Sequence, residues 1–208
     1  MIAIIDYGAG NLNSVSKALK KIGAESIITS DPNIIKSADA TILPGVGSFG
    51  AAMSNIRDLG LDKTIKENCR AGQPLLGICL GMQLLYDRSY EDGVWEGLGL
   101  IGGDIVKFEN PRLKIPHMGW NQLIPNKNTP IGFGINQGEY VYFVHSYYAK
   151  SRHAEDVVFY TEYGTEVPAV VQKGLIVGMQ FHPEKSADTG MRLLQNFIAL
   201  VKKTERAG

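Results

Sequence analysis

Cys79 stands between two glycines in the run Gly77-Ile78-Cys79-Leu80-Gly81. An apolar stretch from Leu75 to Ile78 leads into it and a helix-like pattern follows, which predicts a buried strand turning sharply into a helix with a thiol at the bend. Flanking glycines relieve crowding in such a strained turn, and the geometry that serves a hydroxyl nucleophile serves sulfur equally. Cysteine is also among the most buried residue types, so a small core hydrophobe is the competing reading of these residues alone. A base elsewhere in the chain decides between the two.

Four histidines are available for that role: His117, His145, His153 and His182. His153 lies in the charged run SRHAED and reads as a surface residue, and His145, flanked by apolar residues, reads as a structural histidine. His182 follows the apolar run Leu175 to Phe181, and Pro183 biases it to extended backbone, which puts Glu184 on the same side two residues on. A carboxylate there fixes the imidazole tautomer and stabilises the imidazolium formed when a thiol gives up its proton. A loop histidine beside a solvated glutamate is the plainer reading of His-Pro-Glu by itself, but the pair of motifs together favours catalysis.

Two turns are candidates for ligand contact. Pro44-Gly45-Val46-Gly47 closes an apolar run with two glycines, so its backbone N–H groups can face a ligand without Cβ obstruction, and a plain strand-to-helix turn accounts for it equally. Tyr7-Gly8-Ala9-Gly10-Asn11 invites comparison with a dinucleotide fingerprint, but Asn13 occupies the place of the third glycine and no acidic residue closes the next strand. A helix N-terminus at Asn11 can still receive an anion or a partner's carboxylate.

The elements that must position these residues alternate in the first half. Short apolar runs at Ile2 to Ile5, Ser26 to Thr29, Ala40 to Leu43 and Leu75 to Ile78 read as strands; Asn13 to Ile22, Ser48 to Ile56 and Leu61 to Arg70 have helical spacing, and the polar link after Asp31-Pro32 reads as helical. Serial βα units predict an α/β fold with a doubly wound, mostly parallel central sheet flanked by helices, which binds ligands at the C-terminal ends of its strands. Asp87 to Gly97 reads as a surface loop. The second half is β-rich, with strands at Ile105 to Phe108, Tyr140 to His145, Val157 to Thr161, Ala169 to Gln172 and Leu175 to Phe181. Asp188 to Val201 reads as an amphipathic closing helix, followed by a frayed tail from 202 to 208. No stretch resembles a linker, so one domain over 1–208 is expected.

Composition narrows the class. Lys plus Arg and Asp plus Glu balance at 21 each, and basic residues do not cluster, so neither nucleic acid nor an anionic membrane is expected as a partner. The two cysteines, Cys69 and Cys79, have neither disulfide-framework nor zinc spacing, and Cys69 falls on a helix face as a core residue. Without a basic leader or a long apolar span, the chain is expected in the cytoplasm. No metal site and no cofactor are expected.

GICLGMQ around Cys79, PGVG at Pro44 to Gly47 and MQFHPEKS from Met179 to Ser186 resemble the class I (triad) glutamine amidotransferases. More narrowly, IDYGAGNL, LPGVGSF, PHMGWN from Pro116 to Asn121 and YFVHSYY from Tyr142 to Tyr148 look like the glutaminase subunits of imidazole glycerol phosphate synthases, over essentially the whole chain. The resemblance implies hydrolysis of L-glutamine to glutamate and ammonia, with Cys79 as nucleophile, His182 as base and Glu184 as its orienter. It implies an oxyanion hole from the N–H groups of Val46 and Leu80, and substrate contacts at Gly47, Gln83, His145, Ser146 and Tyr147. The implied partner is a (β/α)8-barrel cyclase subunit, in a heterodimer that passes ammonia between active sites for histidine biosynthesis. Asn11, Met118, Trp120 and Tyr142 are candidate interface residues, although a buried Trp120 is equally ordinary. A glutaminase serving another synthase, for example in surface-sugar biosynthesis, is the rival within the family.

Overall fold

The computed structural model describes residues 1–205. Its first half alternates strand and helix: β1 (Ile2–Ile5), α1 (Leu12–Lys21), β2 (Ser26–Thr29), α2 (Pro32–Ser37), β3 (Ala40–Gly45), α3 (Phe49–Asp58), α4 (Leu61–Arg70), β4 (Leu75–Cys79) and the short α5 (Leu80–Leu84). The second half is mostly strand: β5 (Tyr86–Ser89), β6 (Trp95–Glu96), β7 (Ile101–Lys107), β8 (His117–Gln122), β9 (Ile124–Pro125), β10 (Tyr140–His145), β11 (Tyr147–Ser151), β12 (Val157–Glu162), β13 (Glu166–Lys173) and β14 (Ile176–Met179). The long α6 (Ala187–Glu205) closes the chain.

The central sheet has eight strands in the order β2-β1-β3-β4-β14-β13-β12-β9. Its pairings through β2, β1, β3, β4 and β14 are parallel, and those through β13, β12 and β9 antiparallel, so it is a mixed sheet with a parallel core. The apolar runs of β1 and β4 are buried throughout because both faces of these central strands are covered, whereas β2 at the edge is only half-buried. In β1, Ile2 and Ile4 join a core with α1 and α6, while Ala3 and Ile5 join a second core with α2, α3, α4 and α5. Strand order reverses at β1, and the C-terminal ends of β1, β3 and β4 therefore define the crevice where such sheets bind ligands.

Two smaller sheets flank this frame, β10-β8 and β11-β7-β5-β6. The segment expected as a loop, Asp87 to Gly97, instead contributes β5 and β6: Tyr86 and Ser89 are buried, while outward-facing Asp87 and Arg88 pair with Arg152 at 2.7 Å and Asp104 at 2.9 Å. The tail expected to fray from 202 is helical to Glu205, and residues 206–208 lie outside those described. Cys69 is half-buried on α4 rather than fully in the core, and burial pushes its thiol up to about 11. Among the described residues no helix is long and apolar enough to cross a membrane.

Candidate active site

Strand β4 ends at Cys79 with φ 55° and ψ −112°, a positive-φ conformation that costs a non-glycine residue energy and is characteristic of functional turns. The turn is possible because Gly81 lets α5 pass against β3: a Cβ there would lie 1.7 Å from the Leu43 carbonyl oxygen. Cys79 is 6 % exposed, its Sγ lies 3.9 Å from the Val144 carbonyl oxygen, and it opens onto a cavity of about 330 Å3. Val46, Gly47, Leu80, Gln83, His145, Ser146, Tyr147 and His182 line the same cavity, so the expected nucleophile, base, oxyanion turn and substrate contacts converge on one place.

His182 is carried there by β14 and held by its backbone. Its N–H donates to the Tyr142 carbonyl at 3.1 Å, and its carbonyl accepts from Ser186 Oγ, which in turn accepts from the Tyr142 N–H at 2.9 Å. His182 Nδ1 donates to Glu184 Oε1 at 2.9 Å, with both side chains essentially sealed from solvent. That bond commits Nδ1 and leaves Nε2 for the thiol. Burial works against the imidazolium, but the hydrogen bonds and charges of Cys79 and Glu184 outweigh it and hold His182 up at about 9. A cation is therefore stable where a thiolate needs a counter-ion.

Val46 is 44 % exposed at the cavity mouth, and Gly47 after it has φ +97°. Leu80 is the first residue of α5, with its N–H among those left unpaired at a helix start. Gln83, one turn on, donates from Nε2 to the Tyr147 carbonyl at 2.9 Å and to Gln180 Oε1 at 3.1 Å. His145 is buried, donates from Nδ1 to the Tyr147 carbonyl at 2.8 Å, and is pushed down to about 3, mainly by burial. It is a neutral structural histidine, as its apolar flanks suggest.

Trp120 is exposed, not buried: Met118 and Trp120 stand out from β8, with Trp120 edge-on to half-buried Tyr142 at a centroid distance of 6.1 Å. Asn11 begins α1 at the same edge of the sheet as Cys79, and its side chain makes no cap bond. Three residues around the site are not among the candidates read from the sequence. Tyr7 is buried with its hydroxyl donating to the Pro44 carbonyl at 2.9 Å; burial first, then the Cys79 charge, raises its pKa. Glu91 Oε2 accepts from the Phe49 N–H at 2.6 Å and lines the cavity, capping α3 from the segment read as a loop. Gln180 is buried behind Gln83. His153 is exposed, 3.5 Å from Glu155, as its charged context suggests.

Among known proteins, residues 3–201 match the family described as Glutamine amidotransferase class-I. The chain is 50 % identical over 207 residues to the imidazole glycerol phosphate synthase subunit HisH of Geobacillus sp. (strain WCH70), covering 97 % of this chain and 98 % of that one. It is 52 % identical over 202 residues to a Campylobacter jejuni protein described as imidazole glycerol phosphate synthase subunit HisH 1, covering 96 % and 100 %. Among solved structures, a glutamine amidotransferase superposes with TM-score 0.77 at 19 % identity over 97 % of this chain and all of that one. PurLQS from Thermotoga maritima does so with TM-score 0.73 at 20 % identity, covering 96 % and 98 %. Those two likenesses concern the fold.

Proposed function

The chain belongs to the class-I glutamine amidotransferases and, within them, to the HisH subunits of imidazole glycerol phosphate synthase, and from that premise we propose how its residues carry out the reaction. It is the glutaminase subunit of that synthase in histidine biosynthesis. Cys79 Sγ attacks the side-chain amide carbon of glutamine while His182 holds the thiol proton. The C–N bond breaks as His182 delivers that proton to the departing ammonia, leaving a glutamyl thioester on Cys79. Water, deprotonated by His182, then opens the thioester, and the proton returns to the sulfur as glutamate leaves. Glu184 keeps Nδ1 protonated and the ring aimed at sulfur throughout.

The oxyanion of each tetrahedral intermediate is received by the N–H groups of Leu80 and Val46, each worth on the order of 10²–10³ in rate. The five-residue α5 has only a small dipole, so the thiolate depends chiefly on the His182 imidazolium. Gly47, Gln83, His145, Ser146 and Tyr147 form the glutamine pocket. Ammonia is useful only if consumed next door, so the chain works as a heterodimer with a (β/α)8-barrel cyclase subunit, in the cytoplasm, with Met118, Trp120, Tyr142 and Asn11 at the contact.

The observation that carries this reading is the shared cavity of Cys79 and a His182 locked to Glu184 at 2.9 Å. In the complex, Cys79→Ala is expected to abolish ammonia release from glutamine and to leave synthesis from added ammonia intact. Loss of both activities, or of neither, sinks the mechanism.

A further inference from the structure

Behind the cavity wall runs a series of hydrogen bonds whose direction is dictated at its inner end. The Tyr147 carbonyl only accepts, so its 2.8 Å contact with His145 Nδ1 places a proton on that nitrogen. Both rings in the series are neutral, because burial pushes His145 down to about 3 and His117 down to about 4. A neutral ring protonated at Nδ1 has a bare Nε2, so His145 Nε2 accepts from His117 Nδ1 at 2.9 Å. By the same step His117 Nε2 is bare, and it accepts from Asn121 Nδ2 at 3.2 Å. Each ring has one tautomer open to it.

His117 is clamped as well as bonded. Its ring stacks on Tyr163 at 3.9 Å and 18° and on Phe143 at 4.7 Å and 20°, and it sits directly opposite His145 in the β8–β10 ladder. At the inner end the Tyr147 carbonyl also accepts from Gln83 Nε2, whose other hydrogen goes to Gln180. With both amide hydrogens taken, the Gln83 carbonyl oxygen is the group left to meet a donor in the cavity.

We propose that His117, which does not line the cavity, is a positioning residue for the glutaminase site: it donates to the Nε2 that the Tyr147 carbonyl leaves bare on His145, and by anchoring that ring it fixes the Tyr147 carbonyl and the orientation of Gln83 toward substrate. The proposal rests on the glutaminase reading above. Without the His117 donor, a buried Nε2 loses its partner; if the His145 proton moves there instead, a bare Nδ1 faces the carbonyl oxygen and repels it. In the first case the ring keeps its bond to the carbonyl but loses its anchor, in the second it loses the bond itself; both loosen the acceptor that holds Gln83, while Cys79, His182 and Glu184 are untouched.

The test uses the chain in complex with its cyclase. His117→Phe keeps the ring between its aromatic neighbours and removes the donor; it is expected to raise KM for glutamine about tenfold or more with kcat within about threefold. His117→Asn, whose Nδ2 takes the place of ring Nδ1, is expected to restore KM to within about threefold of wild type. Ring 15N spectra of the histidine-labelled chain are expected to show His145 protonated at Nδ1 in the wild type, with an Nε2 that is hydrogen-bonded there and no longer so in His117→Phe. A wild-type KM in His117→Phe, equal losses in both variants, or an Nε2–H tautomer of His145 in the wild type overturns the proposal. Should His117→Phe not fold, the wild-type spectrum and the KM of His117→Asn decide it. A wild-type complex that releases no ammonia from glutamine instead defeats the glutaminase reading itself.

Discussion

His182 keeps its proton to about pH 9 because Cys79 and Glu184 together outweigh the cost of burying a cation. The folded-state pKa lies above the ordinary imidazole value, so the stability the His182 imidazolium contributes is fully present below about pH 6.5 and is lost as pH rises through about 9. If leaving ammonia takes its proton from this imidazolium, kcat/KM for glutamine falls on the alkaline side near pH 9. Glu184→Gln removes one of the two influences that raise His182, so the alkaline limb is expected to move to lower pH and kcat to drop by on the order of 10²–10⁴. A pH–rate profile measures both, and a limb that stays in place in Glu184→Gln shows that another group carries the proton. The roles proposed for Cys79, His182 and Glu184 can be argued from residue order because each depends on near neighbours: glycines two positions either side, and a carboxylate two positions on. Those of Tyr7 and Glu91 cannot, since each reaches the site from a distant segment through one long-range hydrogen bond.

At the scale of elements, the strand-to-helix turn is where local sequence and tertiary packing agree. The Leu75 to Ile78 run is continuous because β4 lies between β3 and β14 with both faces covered, and this burial makes the strand legible. Strand β8 is illegible for the opposite reason. Its inward positions, His117 and Asn121, are polar groups serving a hydrogen-bond series, while its apolar Met118 and Trp120 point to solvent, so the usual alternation is inverted. Strand β11 escapes a reading of residue types because only Ser146 separates it from β10, and nothing in that one residue reveals that the chain changes sheets there. In the turn itself the constraint is steric. Gly81→Ala puts a methyl against the Leu43 carbonyl, which belongs to a central strand and cannot retreat cheaply. We expect a loss of about 2 kcal/mol or more, lowering Tm by roughly 4–8 °C, and a matching fall in glutaminase activity. An unchanged thermal melt shows that α5 can slide away from β3.

At the scale of the molecule, the sheet brings the ends of β3 and β4 together at one edge, and the two strands play different parts in the cavity. Cys79, at the end of β4, is committed by its partners, whereas the segment after β3 is held at its two ends, Pro44 and Phe49, and open between them. The Tyr7 hydroxyl pins the Pro44 carbonyl, but a Cβ on Gly47 would have nothing within 4 Å, and Val46 between them is 44 % exposed. The peptide proposed to aim its N–H at the oxyanion is thus tethered on either side and open at Val46 and Gly47. Exposed Met118 and Trp120 on β8, with half-buried Tyr142 beside Trp120, are the surface proposed above for the cyclase contact, and in the ladder they lie close to His145 and to Val144, whose carbonyl is 3.9 Å from the thiol. On the proposed reading, docking there completes an oxyanion hole at the open Val46 peptide. Since one oxyanion donor is worth on the order of 10²–10³ in rate, the chain alone is expected to turn over glutamine slower than the complex with its cyclase ligand by about that factor. Trp120→Ala is expected to weaken the complex by roughly tenfold to a hundredfold in Kd, as removal of a central aromatic contact does, while leaving turnover at saturating cyclase within about threefold of wild type. Steady-state ammonia release, titrated with cyclase, reads out both quantities. Equal turnover with and without the partner means that the Val46 peptide is already in place, and that activation must be sought elsewhere than in the oxyanion hole.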